Sequence, residues 1–268
     1  MASRPTERRA QLTVIGCGTA VPEPERVCSG YFLESGPVRL LVDCGPGVVH
    51  QMAVLGLPWH ALTHLALTHF HTDHVGDVPM LFFALRHGMP PGRRQPLAVY
   101  GPPGVRAFFS GLAGVFGEHL HDPGFPIEVF ELEAGQSMAL AEGVAISAHP
   151  TPHTAASVAY RVRTPDGDAA FTGDTGYSEE VAEFVRGVRV LVAECSLPDD
   201  AAVPTHLTPG RLARMARRAA PGMLVVTHVY PQVDRATLPD ALRAAGYEGP
   251  AMLAFDGLQL SVYLGVHS

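Results

Sequence analysis

Residues 69–74, His-Phe-His-Thr-Asp-His, crowd three imidazoles and a carboxylate into one hexapeptide, and any fold of this chain has to satisfy all four. Packed this closely they would oppose each other's protonation and leave polar atoms unpaired unless a cation drew them together. Neutral imidazole is the commonest biological zinc ligand. The preceding segment, His64-Leu65-Ala66-Leu67-Thr68, is short, apolar and bounded by polar residues. It reads as a buried strand delivering the hexapeptide to a strand-end loop, which Gly76 and Pro79 close. With 14 histidines in 268 residues, chance could place several in one surface turn. Their spacing behind a buried strand favours a metal site instead.

Length and composition allow a large core around such a site. The chain is 47% hydrophobic and 17% charged, which excludes a disordered protein. A single domain over 1–268 is expected, with 1–10 as a flexible N-terminal extension. No apolar run approaches the roughly 20 residues of a membrane helix, and the N-terminal stretch lacks the apolar centre of a secretory signal. The expectation is a cytoplasmic protein with no membrane partner. Cys17, Cys28, Cys44 and Cys195 lack CxxC spacing, so they read as buried thiols rather than a disulfide framework or zinc ribbon. The net charge of −7 argues against a surface that tracks a polyanion throughout, while leaving room for a local basic patch.

Strand-like runs recur along the whole length, at 12–15, 38–42, 65–67, 97–100, 127–130, 144–147, 158–162, 169–171, 188–192, 224–226 and 258–264. Helical stretches fall between them. The clearest is 209–220, where Thr208 is placed to cap the N-terminus and Pro209 suits the first helical position. Others are expected near 48–55, 104–116, 178–185 and 235–244. Strand pairs mixed with strand–helix alternation predict an α/β architecture with more than one sheet. The segment 87–101, rich in Pro, Gly and Arg, reads as a connecting loop with Arg93 and Arg94 solvated.

One hexapeptide cannot fill the coordination sphere of a hydrolytic site, so further ligands should stand at later strand ends. His153 in Thr-Pro-His-Thr precedes a strand. Asp174 in Phe-Thr-Gly-Asp-Thr-Gly follows one, and His228 in Val-Val-Thr-His follows another of strongly β-branched character. The ordered set His69, His71, Asp73, His74, His153, Asp174 and His228 resembles the metal motifs of the metallo-β-lactamase superfamily across nearly the whole sequence. The likeness extends upstream to Gly16-Cys17-Gly18-Thr19-Ala20-Val21-Pro22 and Leu40-Leu41-Val42-Asp43-Cys44-Gly45. Val192-Ala193-Glu194-Cys195-Ser196 and His206-Leu207-Thr208 narrow it to the ribonuclease Z-like phosphodiesterase branch. The resemblance implies a four-layer αββα sandwich. It assigns His69, His71 and His153 to one metal, Asp73, His74 and His228 to a second, and Asp174 to both. It also implies that Glu194 orients His206, which donates a proton to the leaving oxygen. His149 lies close to His153, but the following Ser157-x-x-Tyr160-Arg161 favours His153 as the ligand. His64, His119 and His121 read as structural or exposed.

The implied chemistry is that of a dinuclear metal-dependent hydrolase using a metal-bridging hydroxide. Two divalent ions about 3.5–4 Å apart activate one water and clamp both oxygens of an in-line displacement. Asp73 would also orient the attacking hydroxide. Zn²⁺ suits this mixture of imidazole and carboxylate best, with Mn²⁺, Fe and Co²⁺ able to occupy the same frame. The expected substrate is a small or modest-sized phosphodiester. A lactone, β-lactam or sulfate ester is the second reading, and a non-catalytic metal-binding sensor the third. A tRNA 3′-processing endonuclease is disfavoured, because only 21 positions separate His153 from Asp174, too few for the family's long tRNA-gripping arm. Pro46 also stands where the branch often has an acidic residue. Arg211, Arg214, Arg217 and Arg218 form a stripe that reads as a solvated helix face, so nucleic acid is not the favoured partner. By resemblance, a homodimer is reasonable.

Overall fold

Alternation of period two sorts the apolar side chains of the strands into layers. In the computed structural model, which describes residues 9–263, β1 (Gln11–Gly16), β2 (Gly30–Ser35), β3 (Val38–Val42), β4 (His64–Ala66), β5 (Leu97–Gly101) and β6 (Ile127–Glu131) lie side by side in chain order. A second sheet takes β7 (Ser137–Ala141), β8 (Val144–Pro150), β9 (Val158–Thr164), β10 (Gly167–Phe171), β11 (Val190–Glu194), β12 (Met223–Thr227) and β13 (Ala251–Leu253), again in order. Strand β14 (Gln259–Ser261) returns to pair antiparallel with β1. In β3, Val38, Leu40 and Val42 point between the sheets while Leu41 points outward. In β11, Val190 and Val192 point inward while Leu191 and Ala193 point outward.

Helices cover the two outer faces. On the first sheet α1 (Val48–Val54), α3 (Val78–His87) and α4 (Val105–Phe116) bury Met52, Phe82 and Phe109, with the one-turn helix α2 (Thr72–Val75) between α1 and α3 in the chain. On the second, α5 (Glu179–Phe184), α6 (Pro209–Ala219) and α7 (Leu238–Ala244) bury Val181, Leu212, Met215 and Leu242. Each such side chain contributes about 1.5–3 kcal/mol. The result is the expected αββα sandwich. Ala10 is buried and its amide donates to Asp166, while residues 1–8, where most of the expected extension falls, lie outside the described residues.

Some expectations need correction. Residues 87–101 are not one loop, because His87 ends α3 and Leu97–Gly101 is β5. Nor is Arg93 solvated. It is buried, donating to the carbonyls of His60, Leu62, Gln95 and Pro96 and lying over the Phe125 ring, and burial pulls its pKa down to about 10. Four carbonyl acceptors offset part of the desolvation cost of the buried guanidinium. The last strand is shorter than expected, and the span 258–264 runs past the described residues.

Topology positions the site. Strands β3 to β6 pair in parallel, and so do β10 to β13. Their C-terminal ends, with the loops that follow, gather the polar side chains at one edge of the sandwich. Tyr160 Oη donates to Leu67 O at 2.9 Å, and Tyr31 Oη meets Thr227 Oγ1 at 3.0 Å, fastening one sheet to the other beside that edge.

Candidate metal centre

The backbone at the strand ends is forced into shapes that aim side chains at one point. Asp43, following β3, has φ 58°, and His228, following β12, has φ 51°. Left-handed backbone in a non-glycine residue persists only where surrounding contacts over-determine it. A Cβ on Gly45 would run into the Asp73 carbonyl, so only glycine lets the β3–α1 loop lie against the hexapeptide. The Cys44 amide then donates to His74 O at 2.7 Å, and the Asp77 amide to Cys44 O at 2.9 Å.

All seven residues expected to hold metal converge. His69, His71, His153 and Asp174 form one group and Asp73, His74 and His228 another, each with one ligand atom per residue, all within 4.8 Å of one another. Asp174 divides its oxygens between them. Its Oδ2 lies 3.7 Å from His153 Nε2 and 3.9 Å from His69 Nε2, while Oδ1 lies 3.3 Å from His74 Nε2. Asp73 Oδ2 is 3.2 Å from His228 Nε2.

Outer partners decide which nitrogen of each ring carries the proton. Asp43 Oδ2 sits 2.7 Å from His74 Nδ1, and a carboxylate can only accept, so Nδ1 is the N–H and Nε2 the lone pair. Thr68 Oγ1 gives its proton to Asp43, so it accepts from His69 Nδ1 at 3.1 Å. Ser196 Oγ donates to the His228 carbonyl and accepts from His228 Nδ1 at 3.0 Å. His153 Nδ1 donates to Thr205 O, leaving its Nε2 facing His71 Nδ1 at 3.0 Å. Four Nε2 lone pairs are thereby turned into one small volume, the arrangement that outer-shell bonds give metal-binding imidazoles. Sequence reasoning missed the roles of these outer residues, since Thr68 and Thr205 carry no motif, and Asp43 and Ser196 belonged to recognised stretches without a role of their own.

The unpaired atoms test whether a divalent cation fits. His69 Nε2, His74 Nε2 and Asp174 Oδ1 are buried and have no hydrogen-bond partner. Orphans like these cost about 1–3 kcal/mol each, and a cation among them would satisfy all three at once. Electrostatics agree. Burial, then the neighbouring imidazoles, push His69 down to about 2, so it offers a lone pair at any working pH. Burial also opposes charge on His74, but Asp174 and Asp43 outweigh it and pull positive charge toward that ring. Burial would raise Asp73, yet the nearby His228 ring, with Nε2 3.2 Å away, and then the His74 ring hold it down to about 2.

A second device stands beside the clusters. Glu194, fully buried at the end of β11, accepts from the Thr175 amide and His206 Nδ1 on Oε1, and from the Ser196 and Leu207 amides on Oε2. His206 Nδ1 lies 2.9 Å from it, and the ring packs edge-on to His153 with centroids 4.8 Å apart. Burial lowers the His206 pKa, but Glu194, then Asp174 and Asp73, outweigh it and the net direction is up. The clusters open onto a cleft of about 470 Å³ lined by Ala20, Cys28, Pro46, Thr72, Tyr230 and site residues including His206. Tyr230 is a further residue that no sequence signal marked. Three other histidines stand apart from the site: His64 bonds Thr63 and stacks on Tyr100, His149 bonds Pro150 O beside Phe184, and His119 lies against Phe83.

Comparison with known proteins agrees with this geometry. The profile of the beta-lactamase superfamily domain matches residues 38–229. Ribonuclease Z of Mycobacterium marinum is 30% identical over 247 residues, spanning 83% of this chain and 87% of its own. The metallo-beta-lactamase fold protein YhfI of Bacillus subtilis superposes with a TM-score of 0.80 at 25% identity, covering 94% of this chain and 98% of its own. Human tRNase Z, short form, superposes with a TM-score of 0.74 at 24% identity over 95% of this chain and 100% of its own, a likeness of fold. The chain thus belongs to the metallo-β-lactamase superfamily, in its ribonuclease Z-like branch, and is a hydrolase.

Proposed function

We propose that this protein is a dinuclear hydrolase of small or modest-sized phosphodiesters, with His69, His71 and His153 holding one divalent ion, Asp73, His74 and His228 a second, and Asp174 reaching both. Zinc is the ion best suited to these donors. The observation that carries the reading is the Glu194–His206 pair beside the two clusters, because a site built only to bind metal has no use for a proton donor. Two bound ions supply an activated water at neutral pH and neutralise charge on the phosphoryl oxygens.

The chain's own residues do the rest. Asp73 accepts a hydrogen bond from the attacking water and points its lone pair at phosphorus. As the new P–O bond forms and the old one breaks, His206 Nε2 gives its proton to the leaving oxygen. Its Nδ1–H stays bound to Glu194, which holds the ring in place and compensates its charge. Such a donor is worth about 10²–10⁴-fold in rate.

RNA, the substrate class in the name of the Mycobacterium relative, fits less well. The span between His153 and Asp174 is taken up by the β9–β10 hairpin, which turns at Thr164–Gly167 without an insertion. Arg214 and Arg218 pair with Glu179 and Glu183 of α5, and Arg211 donates to the Val203 and His206 carbonyls, so three of the four arginines of the stripe are engaged within the chain. Turnover of bis-p-nitrophenyl phosphate by metal-loaded protein tests the reading. Wild type should exceed a His69→Ala control by at least about 100-fold, and equal rates would refute it.

A further inference from the structure

The cleft is not uniform in chemistry. His71, Asp73, His153, Asp174 and His206 supply every titratable imidazole and carboxylate that lines it, and Ala20, Cys28, Pro46, Thr72 and Tyr230 supply the remainder. Tyr230 lies two residues beyond His228, half-buried, with its ring 5.5 Å from that imidazole at an interplanar angle of 73°. Among the described residues, it brings the one aromatic ring to this lining other than the imidazoles. Ala20 and Cys28 come from the β1–β2 loop, which the main chain holds rigidly: the Val27 amide donates to Asp256, and the Gly18 amide to Val27 O.

Among the described residues, the cations Arg26 and Arg211 are already engaged. Arg26 on the β1–β2 loop pairs with Glu23, and Arg211 donates to the carbonyls of Val203 and His206. Beyond the Arg26–Glu23 pair the same loop carries one further carboxylate, the exposed Glu25. A phosphate placed beyond the scissile one would meet uncharged side chains and carboxylates where polyanion-binding proteins offer free Lys and Arg. An uncharged, flat group would instead find an aromatic ring and a proline to pack on.

We propose that Tyr230, with Ala20, Cys28 and Pro46, forms a subsite for the neutral planar part of a diester bearing a single negative charge, and that a substrate carrying a second phosphate is selected against. The proposal rests on the phosphodiesterase reading above and specifies its substrate. Aromatic packing supplies the affinity, and the engaged arginines with the acidic loop supply the discrimination.

The test compares thymidine 5′-(p-nitrophenyl phosphate) with the same compound bearing a 3′-phosphate. The singly charged ester should be favoured about tenfold in kcat/KM at low ionic strength, with the gap narrowing as salt is raised. Tyr230→Ala should raise the KM of the favoured ester about tenfold at wild-type metal content, more than it lowers kcat, and Tyr230→Phe should recover most of the loss. Calorimetry on the metal-loaded enzyme with thymidine 5′-monophosphate and thymidine 3′,5′-bisphosphate gives the same ordering without turnover. If the monophosphate binds more tightly but no phosphodiester is hydrolysed, the subsite stands and the phosphodiesterase reading fails. If the bisphosphate binds as tightly or better, with affinity falling steeply in salt, or if Tyr230→Ala leaves KM unchanged, the subsite is overturned.

Discussion

Four of the five imidazoles of the two clusters owe their orientation to a partner outside the clusters: His74 to Asp43, His69 to Thr68, His228 to Ser196 and His153 to the Thr205 carbonyl. Removing one such partner frees a ring to turn or change tautomer without touching a ligand. Ser196→Ala is therefore expected to weaken metal binding about 10–100-fold, read by chelator competition, while the fold survives. Unchanged affinity would show that His228 does not need its partner. At His206 the sign of the pH effect follows from its raised pKa. A donor held protonated by Glu194 keeps working to higher pH, so the alkaline limb of the kcat profile lies to the right of an unassisted histidine. Glu194→Gln removes the charge and should move that limb to lower pH, and a limb that stays in place would detach Glu194 from catalysis. The seven residues that converge were legible in the sequence because six neighbouring positions and three strand ends follow a known order. Asp43, Ser196 and Tyr230 were not, since what gives them meaning is a neighbour 31, 32 or more positions away in the chain or a cleft wall made by tertiary closure.

Among the elements, α6 shows the sequence at its most readable. Thr208 Oγ1 accepts from the Arg211 amide, Pro209 opens the helix, and Leu212, Ala213, Met215, Ala216 and Ala219 face the core. Thr208→Ala should cost about 1 kcal/mol, measured as a shift of the urea midpoint. Arg214→Ala with Arg218→Ala removes exposed pairs to α5 and the packing of Arg214 on the Tyr177 ring, so a loss of more than about 2 kcal/mol would mean the stripe is more than a surface contact. Helix α3 shows the reverse. Pro79 reads as closing a loop, yet it occupies the first turn of a ten-residue helix, where a missing N–H leaves no bond unmade. Strand β2 escaped notice as well. Its Tyr31-Phe32-Leu33 run is buried on both faces, Tyr31 and Leu33 between the sheets and Phe32 against α1, so no polar alternation marks it.

At the scale of the molecule, the strand and helix succession predicted only an α/β architecture with more than one sheet and the family resemblance implied the αββα order, whereas the meeting of the two sheets' parallel ends at one edge is a property of topology. That edge holds buried atoms that no protein group satisfies, His69 Nε2, His74 Nε2 and Asp174 Oδ1. Bound metal should therefore contribute to folding as well as to chemistry. Stripping it with a chelator is expected to lower the unfolding temperature by on the order of 10 °C, with recovery on adding Zn²⁺ back. Metal content per chain goes furthest toward the central claim. Elemental analysis of purified, zinc-equilibrated protein should give about two ions per chain, falling to about one in both His69→Ala and His228→Ala. A wild-type content of one or none, or two ions retained in both variants, would contradict a two-metal centre built from these residues.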